Sequence, residues 1–442
     1  MPGKLNRQTV SIQKRPVKII QFGAGNFLRG FCDWMVDILN EKTSFNGNVA
    51  IVQPIRRGMG SEIDKQDGLF HVVLKNQEVD ENRLITCVDS VINPFEEPER
   101  FLSLAENPDL EFIFSNTTEA GITFNANDND TFPGRATALL YHRFKTLPSK
   151  RLTFLPSELI ENNGAALKAV VRQYADHWKL PVEFTSWIDD KVVFCNTLVD
   201  RIVTGYQDIS SRTGYDDKFT VMAEPYHLWV IEAPAHVRKA LPLDDAPLNV
   251  LFVDDLTPYR TRKVRILNGA HTTLVPVAYL KGLRTVRESV EDAEVGNYLL
   301  KAIYEEIIPT LDLPKEELTT FADDVMDRFR NPFIKHELAN IALNSVSKYK
   351  VRVLPSVLKY IELRKQLPKR LLYSLAALIK LYKTNINDTP EVTKFFKQAW
   401  DGNDAVFAAK SILGNKAFWG QDLNEIPGLN KLVTEDLKVL EV

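Results

Sequence analysis

Nine consecutive residues, Lys263-Val-Arg-Ile-Leu-Asn268-Gly-Ala-His271, place a lysine, a carboxamide and an imidazole within little more than two helical turns. Interconversion of a carbonyl and an alcohol calls for such groups: one exchanges the proton and others hold the oxygen as charge develops on it. Asn268 and His271, three apart, share one face of an α-helix. Lys263 and Asn268, five apart, are offset by about 140° at α-helical pitch. A lysine at the helix start spans that gap by curling its long side chain back. The competing reading is an amphipathic helix whose polar residues face water.

The elements that must position such a centre begin near the N-terminus. The apolar run Val17-Lys-Ile-Ile-Gln-Phe22 predicts a buried strand, Gly23-Ala-Gly25-Asn-Phe-Leu-Arg29-Gly30 follows at once, and Phe31 to Leu39 has helical spacing. Asn48 to Gln53 predicts a second strand and Leu110 to Phe114 a third, with Leu152–Leu155 and Leu248–Val253 further on. Strand, glycine turn, helix and strand open a right-handed βαβ unit, and short strands spaced by helices predict a mostly parallel sheet covered on both faces. The loop matches part of the dinucleotide fingerprint. Gly23 allows the tight turn, Gly25 lets a pyrophosphate approach the backbone, and the helix start offers N–H donors and a partial positive charge. Ala24, Asn26 and Phe27 complete the predicted cradle, Leu28 stands where the third glycine belongs, and Arg29 is placed to reach a phosphate or a substrate. The second strand ends in Gln53-Pro-Ile-Arg56-Arg57, without the acid that binds ribose hydroxyls in NAD sites. An arginine there accommodates the 2′-phosphate of NADP, or the pair is simply a solvated loop, so NAD and NADP both stay open.

The 442 residues suffice for two or three domains. At 44% hydrophobic and 26% charged, with net charge −3, nothing points to nucleic acid or an anionic membrane as partner. Cys32, Cys87 and Cys195 form neither a disulfide framework nor a CxxC pattern, which predicts a reducing compartment. The N-terminus has no apolar signal region and no run approaches a membrane span, so a cytoplasmic location is expected. The seven histidines are scattered without an HxxxH pair, and no metal is expected.

From about residue 264 strand patterns give way to helical ones, over 267–280, 295–308, 332–347, 354–363 and 371–382. The proline-rich stretch 233–247 predicts loop, and the segment from 386 a final helical unit. The expected architecture is α/β: an N-terminal Rossmann-type doubly wound sheet domain over 1–258, then a mainly α-helical C-terminal domain over 259–442 that carries Lys263.

The stretches FGAGNFLRGF (22–31), SNTTEAG (115–121), FCNTLVDRIVTG (194–205), AEPYHLWVIE (223–232), KVRILNGAH (263–271) and RFRNPFIKHEL (328–338) are collinear over roughly residues 17–385. Together they resemble the polyol-specific long-chain dehydrogenases, the mannitol dehydrogenase family, and within it the hexuronate reductases. The resemblance implies an NAD-linked, metal-free hydride transfer on a small-molecule sugar acid. It implies Lys263 as general acid/base, Asn268 as oxyanion stabiliser, His271 as a substrate-orienting group, and Asp200 and Lys348 as substrate contacts. It adds Thr118 and Glu119 to the cofactor residues. There are departures. A Ser-Cys-Asp-Asn segment of mannitol-type members is Pro156-Ser-Glu158-Leu159 here, which leaves Asn163 as the nearby replacement for its oxyanion asparagine. A substrate arginine of those members is replaced by Asn340. Both changes argue against mannitol itself. A substrate carboxylate calls for a cation; Arg29, Lys348 and Arg352 are the candidates, with His336 in addition. Asp200 and Arg201 read equally as a structural ion pair, and the oligomeric state is left open.

Overall fold

The computed structural model describes residues 2–56, 58, 60–117, 121–384 and 386–440. It divides into two compact units, Met1–Leu256 and Thr257–Val442.

The first unit is built on six strands: β1 Val17–Phe22, β2 Asn48–Val52, β3 Val88–Ile92, β4 Phe112–Ser115, β5 Leu152–Pro156 and β6 Val192–Phe194. They lie in the order β3-β2-β1-β4-β5-β6, with every pair parallel. Strand residues point alternately to opposite faces, and the sequence fills both. Ile19, Phe112 and Phe114 enter one apolar cluster with the helical residues Phe31 and Met35. Ile20, Phe22 and Ile113 enter the other with Leu139, Leu140 and Val171. Near-continuous apolar runs are what a parallel sheet covered on both faces demands. Chain order reverses between β1 and β4, so the crevice outside their carboxyl ends is where such a sheet takes a ligand.

Smaller sheets flank this one. Phe70–Lys75 and Asp80–Ile85 join Val203–Gly205 and Val221–Ala223 in one; Asn196–Asp200, Leu228–Glu232 and Val250–Val253 form another. The stretch expected as loop contains a short helix, Ala235–Ala240.

The second unit is helical among the described residues. Its central helix, Gly269–Leu280, is buried on nearly every side and packs against Lys369–Leu381. Around them stand Ala293–Lys301, Lys315–Phe329, Ser345–Arg352 and Leu354–Arg364. Pro390–Trp400, Ala405–Leu413 and Leu429–Leu440 follow. The single helix expected over 332–347 does not form. Asn331 Oδ1 accepts the Phe333 N–H at 3.0 Å, and the His336 carbonyl accepts the Val286 N–H at 2.9 Å. Asn344 then turns left-handed at φ 54°. Those bonds give the backbone of this segment partners other than its own turns. No helix among the described residues is long and apolar enough to cross a membrane.

Candidate functional site

In the first unit, Gly23 follows β1 directly. Its N–H donates to the Val52 carbonyl at 3.0 Å and its φ is +126°, a conformation that a side chain disfavours. A Cβ there would stand 2.8 Å from Leu28 Cδ1, so Leu28 closes over the turn from the third-glycine position. The close approach usually left to that glycine falls on Gly30, whose Cβ would meet Val203 Cγ1 at 3.0 Å. Gly25 has no atom within 4 Å of its Cβ position and is exposed. With Gly23, Ala24, Asn116 and Thr117 it lines a cavity of ≈ 670 Å³ at the carboxyl ends of the strands. Asn26 and Phe27 begin the helix, which runs on through a widened turn, Arg29–Asp33, to Lys42. Open backbone at a second glycine, a positive φ at the first and a helix start at the switch point fit a dinucleotide pyrophosphate. Thr118, Glu119 and Arg57 lie outside the described residues.

At the end of β2, the Gln53 carboxamide is tied locally: Nε2 donates to the Ile55 carbonyl at 2.7 Å and Oε1 accepts the Gly60 N–H at 3.0 Å. Arg56 pairs with Asp130 at 2.8 Å and lies over the Phe95 ring.

Two residues expected to meet substrate are spent on the scaffold instead. Arg29 is 2% exposed; its guanidinium donates to the carbonyls of Ala24 and Phe219 and to Asn26 Oδ1. Burial lowers its pKa to about 10, against the raising effect of Asp33 and Asp217. Asn163 is 1% exposed, and Nδ2 donates to the carbonyls of Pro156, Glu158 and Thr197 at 2.9–3.2 Å. Its Oδ1 accepts the N–H groups of Gly164 and Thr197, both at 2.9 Å. No donor remains for a substrate oxygen. Leu159, at 65% exposed, does not fill the role either.

Glu158 is the residue that sequence reasoning passed over, as part of an altered motif. It is 3% exposed and accepts from the Thr117 N–H at 2.8 Å, the Thr117 hydroxyl and the Ser115 hydroxyl, clamping the end of β4 to that of β5. Burial raises its pKa, and these donors pull the other way. Asp200 ends its strand opposite Leu228 and is buried. Arg201 donates to the Glu224 and Gly30 carbonyls and covers the Trp34 ring.

In the second unit Lys263, Asn268 and His271 lie on one continuous helical run. Lys263–Asn268 is a π turn, with the Gly269 N–H reaching back five residues to the Val264 carbonyl. Such a turn holds more residues than an α turn, so it narrows the offset of about 140° expected between Lys263 and Asn268. Both side chains are half-buried, and the Asn268 carboxamide has no hydrogen-bond partner among the described residues. His271 is 8% exposed, stacked on Phe329 at 4.3 Å and edge-on to His336 at 4.8 Å. His271 is thus withdrawn from bulk water, while Lys263 and Asn268 stay partly exposed. His271 Nε2 is buried and unpartnered. Burial, then His336, Arg328, Arg352 and Lys348, push its pKa well below the usual histidine value, so the ring is neutral. Lys348 Nζ donates to the Ile341 carbonyl at 2.8 Å. Asn340 is exposed. Among the described residues no three His, Cys, Asp or Glu side chains converge as metal ligands would.

Comparison with known proteins agrees along the whole chain. A model of the mannitol dehydrogenase Rossmann domain matches residues 17–245, and one of the mannitol dehydrogenase C-terminal domain matches residues 255–441. An altronate oxidoreductase of Phocaeicola vulgatus is 44% identical, covering 99% of this chain and 97% of that protein. One of Bacillus subtilis is 46% identical, covering 97% and 94%. The Pseudomonas fluorescens mannitol 2-dehydrogenase ternary complex with NAD and D-mannitol shares the fold, with a TM-score of 0.71 at 21% identity, covering 99% of this chain and 97% of that one.

The hydrogen bonds of Asn163 lead to a stability prediction. Asn163→Ala leaves two buried N–H groups without acceptors and should cost about 3 kcal/mol or more, read as a lower urea midpoint. An unchanged midpoint with reduced turnover would instead make Asn163 a substrate contact.

Proposed function

The chain belongs to the mannitol dehydrogenase family, and on that premise we propose that it is an altronate oxidoreductase, interconverting D-tagaturonate and D-altronate with NAD. One observation carries this reading. The lysine, the free carboxamide and the neutral imidazole lie on one continuous helical run, the first two half-buried and the third buried, in a chain 44–46% identical to altronate oxidoreductases over nearly its full length. NAD, when bound at the glycine cradle, supplies the hydride acceptor for oxidation and the donor for reduction.

The protein's own residues handle the oxygen and its proton. Lys263 in its ammonium form gives a proton to the carbonyl oxygen as that oxygen gains charge; in its neutral form it takes the proton from the alcohol. Asn268 donates its unpaired amide N–H to the same oxygen, a bond strongest where the charge peaks. His271, neutral and with a bare Nε2, holds an adjacent substrate hydroxyl. An imidazole kept uncharged among cations does not compete with Lys263 as the proton donor. Packing on Phe329 and His336 fixes its ring plane, the pre-organisation such a contact needs.

Three measurements test this. NADH absorbance should fall rapidly with D-tagaturonate and slowly with D-fructuronate, D-fructose and D-tagatose; rapid turnover of fructuronate or fructose with none of tagaturonate sinks the substrate assignment. Lys263→Ala should lower kcat by about 10²- to 10⁴-fold with the Kd for NADH unchanged, and near-normal turnover removes Lys263 from the chemistry. Gly25→Val places a side chain in the open cradle and should weaken NADH binding by roughly tenfold or more, ~1.4 kcal/mol, by fluorescence titration. Equal binding would mean that the pyrophosphate does not cross Gly25.

A further inference from the structure

A sugar acid carries a carboxylate that no residue assigned so far receives. The cations around His271 are not equivalent. Lys348 is already donated to the Ile341 carbonyl at 2.8 Å, and Asp388 offsets part of its charge. Arg265 donates to the Val351 carbonyl. Arg328 acts on Asp324, whose carboxyl it holds down against burial. Arg29 is buried in the first unit, with each of its three nitrogens donating to a neighbour.

Arg352 differs from all of these. It is half-buried, and its guanidinium makes no hydrogen bond or ion pair among the described residues. It closes the helix Ser345–Arg352, one turn beyond Lys348. Its carbonyl lies 3.2 Å from the Cβ position of Gly269, so the ends of the two helices touch between Asn268 and His271. Burial already disfavours its charge, and its charge in turn acts on His271 and Lys348. His336 stands edge-on to the His271 ring at 4.8 Å, its imidazole likewise without a hydrogen bond among the described residues. A guanidinium withdrawn from water is costly until an anion reaches it, and its planar fork matches a carboxylate with two parallel N–H···O bonds.

We propose that Arg352 is the specificity-determining residue of the site: it binds the substrate carboxylate, with His336 as the neighbouring donor, and so selects sugar acids over neutral sugars. The proposal rests on the sugar-acid reading above for its substrate and on the geometry of the second unit for its residue. Losing one charge-assisted pair costs about ten- to a hundredfold in binding. Arg352→Gln should therefore raise KM for D-tagaturonate by that factor with kcat within about threefold. Turnover of D-tagatose, the same ketose with a hydroxymethyl group for the carboxylate, should be unaltered. Arg352→Lys should recover part of the loss, since charge returns without the fork. Calorimetric titration of D-altronate, D-mannonate and D-gluconate reads the subsite without turnover and separates the two claims. A wild type inactive on D-tagaturonate overturns the functional reading. A folded Arg352→Gln variant, with wild-type melting temperature and NADH affinity, that binds these hexonates as the wild type does overturns the assignment of Arg352, whatever the substrate. A loss of tagatose turnover equal to that of tagaturonate overturns it too, by making Arg352 a structural residue.

Discussion

A polar group withdrawn from water must find a hydrogen-bond partner, and leaving it without one costs about 1–3 kcal/mol, more where it is charged. In this chain the constraint bears on both scaffold and site. Asn163 and Arg29 are polar and deeply buried, and each bonds both a nearby and a remote backbone carbonyl: Pro156 and Thr197 for Asn163, Ala24 and Phe219 for Arg29. They tie strand ends and loops together. His271 Nε2, the Asn268 carboxamide and the Arg352 guanidinium lie on helix ends that meet at Gly269 and bond to nothing among the described residues. The first two hold the frame; the last three leave donors and acceptors open on one stretch of the second unit.

Helix geometry places the unspent groups. An α turn would leave Lys263 and Asn268 on different faces; the π turn moves them toward one. That turn abuts Gly269, where the Arg352 carbonyl passes close enough that a side chain would force the helices apart. Downstream, the helix is buried nearly all round, so His271 faces side chains and not solvent. Burial first, and then the surrounding positive charges, lower its pKa well below the usual histidine value.

The first unit shows the same economy in apolar terms. Alternation along β1 and β4 feeds two clusters, one on each face, and this forces the helices to both sides of the sheet. The reversal of strand order between β1 and β4 then opens the crevice that the glycine loop lines. Glu158 and Asn163 fasten the far side of that crevice, bracing β4 and β5 where their backbones leave the sheet.

Patterns carried by neighbouring residues could be read from the chain alone. The apolar runs of β1, β2, β4 and β5, the glycine that must turn with positive φ, and the shift from strand to helix spacing are local properties, written at periods of 2 and 3.6. The spacing of Lys263, Asn268 and His271 along the chain is a local property of the same kind. The rest depended on contacts between distant residues. Nothing near Asn163 in sequence predicts its bonds to Thr197, and nothing near Arg29 predicts the Phe219 carbonyl. The helix expected over 332–347 gave way because Val286 and Asn331 offered its backbone other bonds. Arg352 stood level with Arg29 and Lys348 as a cation until folding gave those two protein partners and left its guanidinium without one among the described residues. Whether a polar side chain is part of the frame or free for chemistry depends on which remote donors and acceptors reach it, and only the packed structure decides that.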